Sequence, residues 1–243
     1  MLALAFPAVA VAYAIFALAG FGAIFITGPV LAQVMPVAEV VPVLALVDCA
    51  AATFNGVKLG RDIAYTELAL LLPLMVAGSF VGTDALLVIP GRPMMFALGA
   101  FVLCYAIWSL LTPPATGRLG RGWILPFGAF GGVFSGMFGS GGFIYAMYLT
   151  RRLDDKEAIR ATQSALLIFS SLTRALIFFF AGVYADRHVL LLAAACVPAM
   201  IVGTWLGHRV TLAMSRQQFL RAIYALLVVS GSALVLRAFF SGG

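Results

Sequence analysis

Apolar residues come in long blocks along this chain, at about 3–18, 20–35, 40–57, 65–89, 93–111, 122–138, 140–149, 158–181, 188–207 and 219–240. Within a block they do not alternate with polar residues, so the pattern predicts helices rather than the strands of a barrel. Connectors rich in Pro, Gly or charge fall at 58–62, 90–93, 113–122, 151–156 and 215–218. The stretch Asp154 to Glu157 also reads as a helix start, with acidic groups on the first turn. Four blocks are short for a full crossing, which takes about 20 residues. They form two pairs, 3–18/20–35 and 122–138/140–149. Gly20-Phe21-Gly22 interrupts the first pair, and Gly136 with Gly139-Ser140-Gly141-Gly142 interrupts the second. Each pair is either a re-entrant hairpin or two short, tilted helices.

Charge placement sets the topology. If both pairs return to the side they start from, one side collects Lys58, Arg61, Arg118, Arg121, Arg151, Arg152, Lys156, Arg160, Arg209, Arg216 and Arg221. The other side collects Arg92, Arg187 and Arg237. That asymmetry places the basic connectors in the cytoplasm and both termini outside it. Each half then holds a glycine-broken pair and three spanning helices. Three crossings are odd, so the second half enters from the opposite face, as an inverted repeat. Repeat 1 covers about 3–111 and repeat 2 about 122–240, within one integral membrane domain over 1–243. Pro73, Gly78-Ser79-Phe80-Val81-Gly82 matches Pro198, Gly203-Thr204-Trp205-Leu206-Gly207 at a constant offset.

Composition agrees with an all-α, polytopic transmembrane bundle. The chain is 63% hydrophobic and only 10% charged, with a mean hydropathy of +1.10. Soluble domains carry about 25% charged residues. The net charge of +6 sits in short connectors, which argues against nucleic acid as a partner. The first residues lack a basic stretch, so no cleavable leader is expected. Cys49, Cys104 and Cys196 are scattered through apolar blocks and read as packing residues, without disulfide or metal spacing. No metal, cofactor or catalytic arrangement is expected.

Against this background a few polar residues stand out. Arg174 lies inside the block 158–181, and a guanidinium cannot shed its charge. Placing it in hydrocarbon costs roughly 2.5–3.5 kcal/mol on insertion scales. Three readings stay open: an anion partner, snorkelling to an interface, or pairing with a carboxylate such as Asp48. Gln163, Leu167, Ser170 and Arg174 share one helical face, and Thr162, Ser164, Ser171 and Thr173 lie beside it. In the first half, Asp48, Ala52 and Asn55 share a face. Asp48 stands as a proton acceptor for coupling, as the partner of Arg174, or as a neutral acid. Gly139, Ser140, Gly141 and Gly142 would expose backbone amides at a new helix start, which makes a seat for an anion; close helix packing is the alternative use of such glycines. Thr27 and Gln33 lie in the first broken pair and offer hydrogen bonds across from Ser140. Tyr145 and Tyr148 are expected near an interface, and His188 and His208 read as interfacial.

The run Gly132-Val133-Phe134-Ser135-Gly136-Met137-Phe138-Gly139-Ser140-Gly141-Gly142, the charged connector after it, Ala161-Thr162-Gln163-Ser164 and then Gly182-Val183-Tyr184 resemble the TauE/SafE family of sulfite exporters, also called the domain-of-unknown-function 81 family. The resemblance covers nearly the whole chain as two repeats. It departs at Gly22-Ala23-Ile24-Phe25-Ile26-Thr27-Gly28-Pro29, which keeps little of the family's glycine-rich stretch. It implies export of sulfite, an organosulfonate such as sulfoacetate, or a related sulfur anion. On matched positions it implies Gly139, Ser140, Gly141, Gly142, Thr162 and Ser164 as motif residues. Arg174 is added on the charge argument alone.

The expected protein is thus a secondary transporter of the plasma membrane, a bacterial inner membrane, exporting a small sulfur-containing anion with proton coupling through Asp48. Its substrate-binding residues are Gly139, Ser140, Gly141, Gly142, Thr162, Gln163, Ser164, Ser170, Thr173, Arg174, Thr27 and Asn55. Its partners are the anion and membrane lipid, with a second copy of the chain as a further candidate. Three rival readings are an anion channel, a transporter of another solute (with Asp48 central) and a non-transporting membrane assembly or enzyme.

Overall fold

A computed structural model describes residues 2–19, 23, 27–28, 31, 35, 37–56, 62–111, 117–139, 141–210, 228, 232 and 235–236. The blocks expected at 20–35 and 219–240 fall almost wholly outside the described residues. So do the first glycine break, Gln33, Ser140 and most of the connectors at 58–62 and 215–218.

Among the described residues the regular structure is entirely helical. Eight α-helices occur: α1 Leu2–Ala19, α2 Val37–Gly56, α3 Tyr65–Val88, α4 Gly91–Leu111, α5 Ile124–Phe138, α6 Gly142–Arg152, α7 Lys156–Phe180 and α8 Arg187–Val210. Three segments, Tyr65–Val88, Glu157–Phe180 and Arg187–Gly207, are long and apolar enough to cross a bilayer. Pro42, Pro73 and Pro198 lie inside α2, α3 and α8. Apolar helices accept such prolines where neighbouring groups re-satisfy the freed carbonyl.

The second glycine break is where the pattern placed it. At 1.5 Å per residue, the 15 residues of α5 rise about 22 Å and the 11 of α6 about 16 Å. Both fall short of the roughly 30 Å hydrocarbon core. Gly139 ends α5 in the left-handed region, at φ 68° and ψ 13°, and its N–H donates to the Ser135 carbonyl. Only glycine takes that conformation without steric cost. The expected start near Asp154 is also present: the Asp155 carboxylate caps α7 by accepting from the Ala158 N–H at 2.9 Å.

The chain divides into two compact units that interleave its halves. One holds Met1–Val40, Val88–Ala115 and Pro198–Gly243; the other holds Val41–Leu87 and Thr116–Val197. In the second unit α3 and α5 lie backbone to backbone. A Cβ on Gly78 would stand 2.9 Å from the Gly132 Cα, and one on Gly132 would meet the Gly78 Cα at the same distance. Gly82 and Gly136 repeat the interlock one turn along, against the backbones of Val133 and Ser79–Thr83. The Ser79 hydroxyl donates across it to the Gly132 carbonyl at 3.3 Å. Lipid gives helices no hydrophobic reason to associate, so this close approach and the polar bridge carry the adhesion. Leu68, Leu71, Met75, Tyr145, Tyr148, Leu149 and Leu166 fill the core beside it.

The first unit contains the same device. Gly203 and Gly207 of α8 sit on the backbones of Ala10 and Ala14 of α1, each 2.9 Å from the facing Cα were a Cβ present. The two glycine pairs that match in sequence therefore do the same work within their own units.

Candidate functional site

The polar face of α7 is a row of contacts to the broken pair and to α2. Gln163, Ser170 and Arg174 are all buried. The Gln163 Nε2 donates to the Gly142 carbonyl at 2.6 Å, which ties α7 to the first residue of α6. The Ser170 hydroxyl shares a hydrogen bond with the Ser135 hydroxyl of α5. The Arg174 Nη2 donates to the Asp48 Oδ2 of α2 at 3.0 Å, with both side chains more than nine-tenths buried. Beside this pair, the Cys49 thiol lies against the Ser171 hydroxyl.

Of the three readings of Arg174, pairing with Asp48 is the one seen. The guanidinium is 3% exposed, so it does not reach outward. The pair does not use up its donors. Arg174 Nε and Nη1 are buried without a hydrogen-bond partner among the described residues, and so are Gln163 Oε1 and the Tyr145 hydroxyl. A buried polar atom left unmatched costs about 1–3 kcal/mol. Three of the four are on α7 and the fourth, the Tyr145 hydroxyl, is on α6.

The glycine elbow lies against the same group. A Cβ on Gly139 would collide with Arg174 Nη1, so the bare backbone makes room for the guanidinium. No side chain caps the start of α6 at Gly141, where the N–H groups of Ile144 and Tyr145 turn back to the Gly141 carbonyl. Among the described residues the positive end of the α6 dipole thus has no side-chain cap.

Other expected residues fall elsewhere. Thr162 is buried, but its hydroxyl accepts from the Ala64 N–H at 2.9 Å and so anchors the start of α3. The exposed Ser164 turns its hydroxyl to the Arg160 carbonyl, and Thr173 is half-buried. Thr27 is buried in the first unit and donates to the Ala23 carbonyl. Asn55 lies on α2, with its side chain outside the described residues, as is Ser140.

Tyr145 and Tyr148 are both fully buried within the protein. A phenol ring is wide and mostly apolar, and here it fills the core under α5, with the Tyr145 ring against Gly131. Its hydroxyl lies within electrostatic reach of Arg174. The Tyr148 hydroxyl donates to Glu67 Oε2 at 2.7 Å, and Arg152 Nε donates to the other oxygen at 2.9 Å. Sequence reasoning missed this buried carboxylate; the available signal was an acid on the first turn of an otherwise apolar block. The Glu67 hydrogen bond and charge push the Arg152 guanidinium further up. At the turn after α7, Gly182 adopts φ 75°, and the Tyr184 hydroxyl donates to the Pro42 carbonyl at 3.1 Å. Burial raises the Tyr184 phenol above its ordinary range. No group of three or more metal-ligating side chains occurs among the described residues.

Comparison with known proteins gives one consistent direction. The family model described as "Sulfite exporter TauE/SafE" matches residues 5–234. A protein named probable sulfite/organosulfonate exporter TauE, from Cupriavidus necator, is 29% identical over 211 residues, which cover 86% of this chain and 81% of that one. The probable inner membrane transporter protein TsaS of Comamonas testosteroni is 25% identical over 190 residues, 78% of this chain and 80% of that one. No solved structure matches.

Proposed function

From the chain's membership of the sulfite exporter TauE/SafE family, a family of membrane transporters, we propose that this protein exports sulfite or another small sulfur-containing anion across a bacterial inner membrane by alternating access. The observation that carries this reading is the buried Arg174 guanidinium, with Nε and Nη1 unpartnered among the described residues, beside an uncapped helix start. A fixed cation in a low-dielectric interior is worth its insertion cost when it meets a negative charge. Gln163, Ser170 and the α6 amides add hydrogen-bonding groups around it. Thr173, Ser140 and Asn55 are further candidates for the same site.

Asp48 supplies the coupling. In the absence of substrate its carboxylate neutralises Arg174. An incoming anion competes for the guanidinium, and the displaced carboxylate then takes up a proton. Anion and proton are thereby linked through one cation.

The whole chain acts as one transporter domain of two inverted repeats, about 3–111 and 122–240, with both termini outside the cytoplasm. Two features support this. Under this topology the basic connectors gather on one side, and the sequence-matched pairs Gly78/Gly82 and Gly203/Gly207 each pack on the first helix of a pair that the sequence pattern breaks at glycine. Repeats of this kind gather their site near the midplane, where broken helices meet.

Reconstitution in proteoliposomes tests the reading. Outward flux of sulfite or another small sulfur-containing anion is expected from the intact protein, and loss of at least 90% of it in Arg174→Ala. Flux at the intact rate and affinity in Arg174→Ala would remove the charge assignment.

A further inference from the structure

The orientation of one amide narrows the substrate. Gln163 places a nitrogen on the Gly142 carbonyl at 2.6 Å. The flipped amide would set two acceptor oxygens against each other, so chemistry fixes the orientation without appeal to hydrogen positions. Oε1 is therefore the atom left over. It is an acceptor, it is buried, and no described residue donates to it. Three other unmatched atoms, Arg174 Nε and Nη1 on α7 and the Tyr145 hydroxyl on α6, can all donate.

The two ends of this set are close. Arg174 Nη1 abuts Gly139, and Gln163 holds Gly142. Three residues of chain reach about 10 Å at most, so the two points that Arg174 and Gln163 hold lie on one short stretch of backbone. The Tyr145 hydroxyl feels the charge of Arg174. Charge sets a limit as well: Arg174 and Asp48 cancel at rest, and once an anion has displaced Asp48 and the carboxylate is protonated, Arg174 offers one positive charge beside the α6 dipole. A second negative charge on the ligand would find no counter-charge among these groups.

We infer, resting on the anion-transport reading above, that this site selects a monoanion that itself carries a hydrogen-bond donor. Its oxygens face Arg174 and the Tyr145 hydroxyl, and its O–H or N–H faces Gln163 Oε1. Hydrogen sulfite and sulfamate belong to that class; sulfate and fully ionised dianions do not. Gln163 is the specificity-determining residue and Tyr145 a previously unassigned binding residue.

Two near-isosteric probes separate the donor from everything else. Sulfamate and methanesulfonate are both tetrahedral monoanions at neutral pH, one ending in an amino group and the other in a methyl. Affinities come from the ligand dependence of thermal unfolding of purified intact protein, with sulfate as the dianion control. The wild type is expected to bind sulfamate about tenfold tighter than methanesulfonate, because the methyl leaves a buried acceptor unmatched. Sulfate is expected to bind more weakly than sulfamate. In Gln163→Met the sulfamate preference should fall to about onefold, with methanesulfonate binding retained. Tyr145→Phe should weaken both monoanions alike. Equal affinity of the wild type for sulfamate and methanesulfonate would overturn the inference and leave the anion site standing. Failure of all three anions to bind, or binding unchanged in Arg174→Ala, would remove the anion site itself.

Discussion

Removing the charge of Asp48 tests the central pair from the side opposite to the usual alanine scan. Asp48→Asn keeps size and hydrogen-bonding capacity but leaves Arg174 as a buried, uncompensated cation. Both side chains are more than nine-tenths buried, so water cannot make good the loss. Breaking one partner of such a pair costs about 3–5 kcal/mol. The variant should therefore unfold well below the wild type in the absence of ligand. The same change removes a negative charge close to where the anion would bind. At about 5 Å and an effective dielectric of about 20, that repulsion is roughly 3 kcal/mol. Anion affinity should rise on the order of 100-fold, since each 1.4 kcal/mol is about tenfold. At about one hundred times its Kd an anion restores about 2.7 kcal/mol, most of the lost stability. The assay is thermal unfolding of purified protein across a methanesulfonate titration, beside transport in proteoliposomes. Expected together are a low starting Tm, a steeper ligand-induced rise, tighter binding and slowed flux, because release and proton uptake both need the carboxylate. A variant as stable as the wild type, or one that binds anions no more tightly, would refute the reasoning.

Three further outcomes follow from particular contacts. Gly139→Ala forces a side chain into φ 68° and into Arg174 Nη1; with a left-handed penalty of about 1–2 kcal/mol plus displacement of the guanidinium, flux should fall at least tenfold in vesicle assays while the protein still inserts. Gly132→Leu pushes α5 off the Met75 carbonyl and the Gly78 backbone, and size-exclusion profiles should show misassembled protein, with Gly203→Leu doing the same through α1. Tyr184 has a raised phenol pKa in the folded state, so its contribution to stability is fully present below the unfolded value of about 10 and is lost as pH rises above it; Tyr184→Phe should flatten that alkaline limb in a Tm-against-pH series.

The sequence made the helices legible because apolar blocks admit few other structures in lipid, and the glycine run at 139–142 located the α5–α6 break because no bulky residue fits the left-handed turn at Gly139. The shared face of Gln163, Ser170 and Arg174 was readable from helical spacing alone. What spacing could not reveal was partnership across the chain. Asp48 lay open among three roles until α2 was seen against α7, since a lone mid-helix carboxylate looks the same in each. Nor could spacing reveal that Tyr145 and Tyr148 would be covered by protein, with the Tyr145 ring in the space left by Gly131. Thr162 has the composition of a ligand residue but spends its hydroxyl on the Ala64 amide. Side-chain chemistry named candidates; only packing assigned them.

The grip of Gly203 and Gly207 on Ala10 and Ala14 also dictates the order of assembly in the cell. Ala10 and Gly203 are 193 positions apart, so at about 5–20 residues per second the first helix waits roughly 10–40 s after leaving the ribosome before its mate is made. During that interval it must be shielded in the bilayer by lipid or by insertion machinery. A nascent chain stopped short of Gly203 leaves that helix permanently widowed, which would make such a fragment a substrate for membrane proteases rather than a half-built transporter.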